Sequence, residues 1–296
     1  MKISLIIPCY NGEKYLDATI NSVLNQTKKP DEIIIVDDCS KDKSLELIKN
    51  YSKKHKTIKL IQNPVNKGLS ATRNIGIQNS KGDIIIFIDV DCVADQNLVK
   101  NLFNFYREDK ENKIGAIGGH GIESNIQTVY DKYRKEYMTQ AFSSKENLTE
   151  VNWFFGLCCS FRKKALTEAG LFNPIFRTNG EDADIAMRIK KQGYQVFYSN
   201  NVFVYHHKQD DLKSLLRTIF NGLFWGRIAK YKNKDLQTDI KEKNYLVNGL
   251  SLTFGPIFKD ISKLRFKFLL IDIVTVYHKF EALFLFQILK NKLLEK

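Results

Sequence analysis

Asp89-Val90-Asp91 follows the apolar run Ile84 to Ile88. Residues i and i+2 of an extended chain point to one side, so the two carboxylates converge at a strand end. Paired hard oxygen donors suit Mg²⁺ or Mn²⁺ bound to a substrate diphosphate. The plainer alternative is that one Asp caps the next helix. A second acidic pair, Asp37-Asp38, closes the run Ile33 to Val36. Carboxylates there accept hydrogen bonds from a ribose or base, or else cap the helix for which Ser40 is a candidate N-cap. Arg73 stands on a short helix after the loop Pro64 to Gly68, where a guanidinium could reach a phosphate bidentately. Glu181-Asp182 opens a helix after Thr178-Asn179-Gly180. Acids suit a first helical turn on dipole grounds alone. In a site, Asp182 would act as general base for a hydroxyl, with Glu181 or Asp184 orienting it. His206-His207 ends a strand-like run, and His206 is a candidate to complete a metal site or touch a phosphate.

The elements that position these groups alternate. Strands are expected at Ile3 to Pro8, Ile33 to Val36, Ile58 to Ile61, Ile84 to Ile88 and Ile114 to Ile117. Helical spacing lies between them, as in Leu16, Ile20 and Val23 or Leu98, Leu102 and Phe105. The runs Ile3 to Pro8 and Ile84 to Ile88 fit strands buried on both faces. Alternation of this kind builds a doubly wound, mostly parallel α/β sheet, which binds ligands at the carboxyl ends of its strands. The polar clusters Tyr10-Asn11, Asp37-Asp38 and Asp89 to Asp91 fall at those ends. Further on, 126 to 150 reads as polar helix and Val151 to Phe161 as strand. Arg162 to Glu168 and Glu181 to Gln192 read as helices, and Val196 to Tyr205 as strand. The tail reads as a basic helix, Leu212 to Tyr231, a polar loop at 232 to 244, and an apolar helix, Phe266 to Leu289.

The 296 residues suit one large domain with an appendage, divided here as 1–207 and 208–296. With 43% hydrophobic residues, 27% charged and only 5 Pro, the chain is neither disordered nor collagen-like. The net charge of +13 points to an anionic partner: nucleotide phosphate, nucleic acid or anionic membrane. Residues 208 to 296 carry 17 Lys and Arg against 9 Asp and Glu, so the tail holds most of that excess. Five cysteines without a C-x-x-C spacing argue against a zinc ribbon and for thiols in a reducing cytosol. No run of about 18 uncharged apolar residues occurs, so no transmembrane helix is expected.

S-L-I-I-P-C-Y-N at 4 to 11, E-I-I-I-V-D-D-C-S at 32 to 40, N-K-G-L-S-A-T-R-N at 66 to 74, G-D-I-I-I-F-I-D-V-D at 82 to 91 and G-E-D-A-D-I-A-M-R at 180 to 188 occur in order. Together, over roughly residues 1 to 207, they resemble a family 2 glycosyltransferase with the Rossmann-like GT-A fold. The resemblance implies inverting transfer from a nucleoside diphosphate sugar, a UDP-sugar first among donors, with Mg²⁺ or Mn²⁺. It implies that Pro8, Tyr10, Asn11 and Asp38, with Asp37 a second candidate, line the nucleoside pocket. Arg73 would lie near base or diphosphate. Asp89 and Asp91 match the metal-binding D-x-D, Asp91 as the more direct ligand. Asp182 matches the catalytic base, and His206 a histidine that closes the metal-diphosphate site. Trp153 to Gly156, Glu181 and Arg162 fall in the acceptor region. Two departures stand out. Cys39 replaces the usual glycine after the acidic pair, and no Q-x-x-R-W follows the E-D helix, which argues against a processive synthase.

The acceptor is then a glycan or a lipid-linked sugar in cell-surface glycan synthesis, and the location cytoplasmic. Two readings of the tail stay open. Its basic and aromatic residues would hold the protein on the cytoplasmic membrane face, or its last helix would pack on the catalytic domain or another copy as in a homodimer. Among competitors, a sugar-nucleotide nucleotidyltransferase would need a Gly-rich basic loop after the first strand, where P-C-Y-N-G-E stands. A dehydrogenase would need G-x-G-x-x-G there. No nucleic-acid-binding module is present. A transferase-like protein without activity is the remaining alternative.

Overall fold

The computed structural model describes residues 1–142, 146–234, 256–257, 259–260, 263 and 265–294. Two compact units divide the chain, one of residues 1–124 and 140–208, the other of 125–139 and 209–296. The stretch 125–139, expected within the first domain, thus groups with the C-terminal segment. Most of the expected loop at 232 to 244 lies outside the described residues.

In the first unit, strand β1 (Ile3–Cys9) is buried along its whole length. Alternate residues point to opposite faces. Ile3, Leu5 and Ile7 enter one core, with side chains of helices α1 (Leu16–Leu24), α2 (Ser44–Lys54) and, further along the chain, α4 (Leu98–Glu108). Ile6 enters the other, with those of α3 (Leu69–Gln78), α6 (Lys163–Glu168) and α7 (Glu181–Lys191). Both faces are covered, so the strand cannot alternate apolar with polar residues. Each fully buried Ile is worth roughly 1.5–3 kcal/mol.

The remaining strands are β2 (Glu32–Asp37), β3 (Ile58–Gln62), β4 (Ile84–Ile88), β5 (Cys92–Ala94), β6 (Ile114–Glu123), β7 (Thr149–Glu150), β8 (Cys158–Arg162) and β9 (Gln195–His206). Their order is β3-β2-β1-β4-β8-β6-β9-β5, with β7 pairing β9. The first four are mutually parallel, as expected. Beyond β4 the sheet is mixed, because β8 runs antiparallel to both β4 and β6. Pro8 lies past Ile6–Phe87, the last registered pair with β4, so its missing N–H costs that ladder nothing.

Three expectations change. The strand expected over Val151 to Phe161 begins only at Cys158. The polar helix is α5 (Val129–Tyr137), with Thr128 and Asp131 in a capping box. Ser40 does not cap α2, which starts at Ser44; its hydroxyl accepts the Asn11 N–H instead (3.0 Å).

The second unit packs α5 with α8 (Leu212–Lys232) and α9 (Phe266–Leu294) around Tyr133, Leu215, Ile219 and Ile271. The buried Tyr133 hydroxyl donates to Asp272 (2.7 Å).

All five cysteines are free, and Cys39 alone is not buried. Its φ of 62° explains why glycine is usual there: a Cβ in the left-handed region costs about 1–2 kcal/mol. Cys39→Gly is therefore expected to raise unfolding stability by up to about 1 kcal/mol, after glycine's own entropy cost. A urea midpoint below that of the wild type would contradict this account.

Candidate active site

Arg73 projects from α3 and is wholly buried. Its Nη1 donates to Glu181 Oε1 (2.8 Å), and its Nη2 to Asp89 Oδ1 and the Gly156 carbonyl (both 2.9 Å). Phe87 and Phe172 lie against the guanidinium, with ring centroids 5.4 and 5.5 Å from Cζ. Arg73 was expected to reach a phosphate. Its Nη1 and Nη2 are instead engaged by protein, because a cation taken out of water needs carboxylates at hydrogen-bond range, while its buried Nε has no hydrogen-bond partner among the described residues. It holds together the D-x-D strand end, the 151–157 loop and the start of α7.

Gly156 carries this link onward. Its N–H donates to Asp182 Oδ2 (2.8 Å), while Asp182 Oδ1 accepts from Ala183 N (2.8 Å). A Cβ at Gly156 would lie 3.1 Å from the Asp182 Cβ and 3.2 Å from its Oδ2. Both backbone groups of Gly156 are engaged here, so this peptide is not paired in the sheet, although the neighbouring Leu157 carbonyl accepts from Asp89 N (3.0 Å). Burial raises the Asp182 pKa above the usual carboxylate range, opposed by the Ala183 and Gly156 amides and by Arg73. Burial and the adjacent Asp182 also push Glu181 up, against the pull of Arg73. Asp184 does not orient this site: its buried carboxylate receives Arg188 Nε and Nη2 at 2.8 and 2.7 Å.

Asp91 sits beside His206 because β5 pairs with β9, opposing Cys92 to His206. The gap from His206 Nε2 to Asp91 Oδ2 is 3.4 Å, and His206 Nδ1 lies 2.9 Å from Glu123 Oε1. Burial disfavours the imidazolium, but Asp91 and Glu123 outweigh it and raise the His206 pKa to about 9. Burial would raise Asp91, yet His206 holds it down to about 2. Asp91, Cys92 and His206 offer donor atoms within 4.8 Å of one another. Burial drives the Cys92 thiol well above its usual pKa, and sulfur is a soft donor that hard Mg²⁺ or Mn²⁺ does not favour. The remaining set, Asp91 and His206 with Asp89 two residues away, fits Mg²⁺ or Mn²⁺. Glu123, opposite His206 in the β6–β9 register, orients the ring as a carboxylate behind a metal-binding histidine does. The sequence reading missed Glu123; the signal available was an acid at a strand's carboxyl end. His207 enters only through its backbone, whose N–H donates to the Asp91 carbonyl (2.8 Å).

The nucleoside candidates form a neighbouring group. Tyr10 is 49% exposed. Asn11 Oδ1 accepts from Lys41 N (2.8 Å), tying the end of β1 to the 38–41 turn. Gly12 allows close approach to the D-x-D turn, since a Cβ there would lie 2.5 Å from Val90 Cγ2. Asp37 is buried, with Oδ2 accepting from Ser40 N (3.3 Å) and Oδ1 without a hydrogen-bond partner. Asp38, expected to line the pocket, is 3% exposed and differently employed. Its Oδ1 accepts from Asn63 Nδ2 and Lys67 N, and its Oδ2 from Gly68 N, each at 2.8 Å. Asp38 therefore acts by fixing the 63–68 loop from which α3 and Arg73 start.

Of the acceptor candidates, Trp153 is half-buried and stacks edge-on with Phe142 and Phe155, at centroid distances of 5.2 and 5.1 Å. Arg162 lies elsewhere. It opposes Ile84 at the start of β4, the far end of that strand from Asp89. Its Nη2 donates to Asp109 (2.7 Å), so its role is structural.

The family described as glycosyl transferase family 2 matches residues 4–170. The cholesterol galactosyltransferase of Borreliella burgdorferi is 37% identical over 91% of this chain and 72% of its own length. An uncharacterized glycosyltransferase of Haemophilus influenzae is 46% identical over 46% of this chain. That match spans 56% of the Haemophilus protein; a 36% identical match to the poly(ribitol-phosphate) beta-glucosyltransferase of Bacillus spizizenii spans 21% of that one. Among solved structures, the Pyrobaculum calidifontis mannosyltransferase PcManGT, in complex with GDP-Man and Mn²⁺, superposes at TM-score 0.63. The match has 15% identity and covers 93% of this chain and 73% of that one. Staphylococcus aureus TarS 1-349 with UDP-GlcNAc gives 0.58 at 20% identity, covering 95% and 90%. These likenesses identify the fold as GT-A.

Arg73→Met leaves the acids Asp89 and Glu181 without their shared cation and is expected to cost about 3–5 kcal/mol in chemical unfolding. Glu181→Gln in the same chain should recover part of that loss, because one acid left without its partner is removed. A neutral Arg73→Met would contradict the role given to this cation.

Proposed function

The chain belongs to glycosyl transferase family 2, and on that footing we propose that it is an inverting, non-processive glycosyltransferase. It moves a sugar from a nucleoside diphosphate sugar, UDP-sugars being the first donors to try, onto a hydroxyl of a glycan or lipid-linked acceptor. The setting is cell-surface glycan synthesis on the cytoplasmic side. The named activities of relatives support this acceptor class: a cholesterol galactosyltransferase, a poly(ribitol-phosphate) glucosyltransferase and, in Methanococcus voltae, a transferase onto a dolichyl-phosphate-linked sugar. The five free thiols suit a reducing compartment.

The observation that carries the reading is the Gly156 peptide. Its N–H holds Asp182 while its carbonyl accepts from Arg73, which holds Asp89. One peptide thus links the candidate base to the candidate metal-binding strand end. Asp182 accepts the acceptor hydroxyl's proton as that oxygen bonds the anomeric carbon. The bond from that carbon to the diphosphate breaks, and the diphosphate oxygen keeps the electron pair. Displacement from the opposite face inverts the configuration. Asp91, Asp89 and His206 would hold Mg²⁺ or Mn²⁺, which would supply charge neutralisation at the leaving diphosphate. A carboxylate suffices as base because the hydroxyl acidifies as its bond forms, and burial raises the basicity of Asp182.

Calorimetric titration of UDP and GDP, each with and without Mn²⁺, tests the donor site. Metal-dependent binding of one nucleotide is expected for the wild type and its loss for Asp91→Ala. Failure across a wider nucleotide panel would reject the donor reading. Asp182→Asn keeps the shape and loses the base, so turnover should fall about 10²–10⁴-fold with nucleotide affinity retained. Undiminished turnover would remove Asp182 from that role.

A further inference from the structure

Helix α9 presents one long apolar face to solvent. Phe266, Leu270, Ile273, Tyr277, Phe284 and Ile288 are each 50–69% exposed. Their spacing of three, four and seven residues places them on one side of the helix. The other side carries the buried Ile271, Thr275 and Ala282, with Ile271 packed among Tyr133, Leu215 and Ile219. The 29 residues extend roughly 43 Å. A run of large exposed side chains this long is not the ordinary scatter of surface hydrophobics.

Charge selects what covers it. Exposed Lys267 and Lys292 flank the stripe near its two ends. An open groove of about 500 Å³ beside the same helix is lined by Lys213, Arg217 and Phe220 of α8 and by His278 and Glu281 of α9. Glu281 is engaged by His278 (3.1 Å). Arg217 makes no hydrogen bond or ion pair among the described residues. The groove therefore offers cations next to apolar surface. A second copy would bring together two segments that each carry 17 basic against 9 acidic residues, which repel. An anionic bilayer offers the complementary charge and an apolar layer beneath it. No helix among the described residues is long and apolar enough to cross a membrane, so the contact lies along the surface.

We propose that the exposed face of α9 docks on an anionic lipid surface, its stripe entering the boundary between headgroups and acyl chains while Lys213 and Arg217 meet lipid phosphates. This goes beyond the transferase reading and does not depend on it, since binding is read without substrate or turnover.

The test is co-sedimentation of the full chain with phosphatidylglycerol–phosphatidylcholine vesicles and with phosphatidylcholine alone, at low and high salt. Wild type should pellet with the anionic vesicles and be released by salt. Leu270→Glu with Tyr277→Glu and Phe284→Glu changes only exposed positions. It should weaken binding by at least about tenfold while the circular dichroism melt is unchanged. Leu270→Ser is the milder variant if the triple one misfolds, and should weaken binding in the same direction. Lys213→Glu with Arg217→Glu should lower binding to anionic vesicles by about tenfold or more. Wild type that ignores every vesicle, or a folded stripe variant that binds as well as wild type, overturns the proposal. A dimer in sedimentation velocity that the stripe variant abolishes, without vesicle binding by the wild type, would assign the face to a second copy and overturn it too.

Discussion

A buried guanidinium organises the first unit. An ionised group removed from water is tolerated only when its charge and donors are met. Arg73 meets its charge with two carboxylates, and Nη1 and Nη2 donate to these and to one carbonyl. Each partner comes from a different part of the chain, so satisfying one side chain fixes the end of β4, the 151–157 loop and the start of α7. Asp38 serves the same end from behind, by pinning the loop from which α3 begins. Of the two acidic residues, Asp89 stays partly exposed, and Asp38 is buried with three hydrogen bonds to the 63–68 loop.

The second constraint is electrostatic. Asp89, Asp91 and Glu123 bring negative charge to the carboxyl end of the sheet, and His206 is the cationic side chain facing Asp91 and Glu123. Its raised pKa and the lowered pKa of Asp91 are two sides of one pairing. Pairing of β5 with β9 gathers Asp91 and Glu123 around one imidazole, and carboxylate and imidazole are donor types that suit divalent metals. Three residues of strand, Cys92 to Ala94, make the arrangement, because their pairing with β9 brings Asp91 alongside His206.

The C-terminal unit obeys different rules. Its core is small and rich in tyrosine, with polar groups such as Asp272 buried against hydroxyls. Among the described residues, its longest helix keeps a row of large apolar side chains exposed. Stability of the unit and exposure of that row are compatible because the buried side of α9 already packs on α5 and α8.

Much of the architecture follows from local pattern. Continuous Ile and Val runs between helical spacings specify strands covered on both faces, and hence the first six strand and helix segments and the site at strand ends. The D-x-D pair and the E-D helix are legible for the same reason, since period-two geometry and first-turn position are properties of neighbouring residues. Cys39, where glycine was expected, could be flagged from sequence; only the backbone φ shows why it matters. Partner choice could not be read this way. Arg73 and Glu181 are separated by 108 residues, and His206 and Glu123 by 83. Nothing local says that Arg73 would spend its donors on carboxylates rather than phosphate, or that Gly156 would leave the expected strand to hold Asp182. The antiparallel insertion of β8, the three-residue β5 and the grouping of α5 with the tail are likewise long-range outcomes. Sequence determined which groups are present and along which strand ends they lie. Tertiary structure decided which of them are consumed in holding the site and which remain to act, because burial makes every unmet charge or donor costly and only the folded chain determines what meets it.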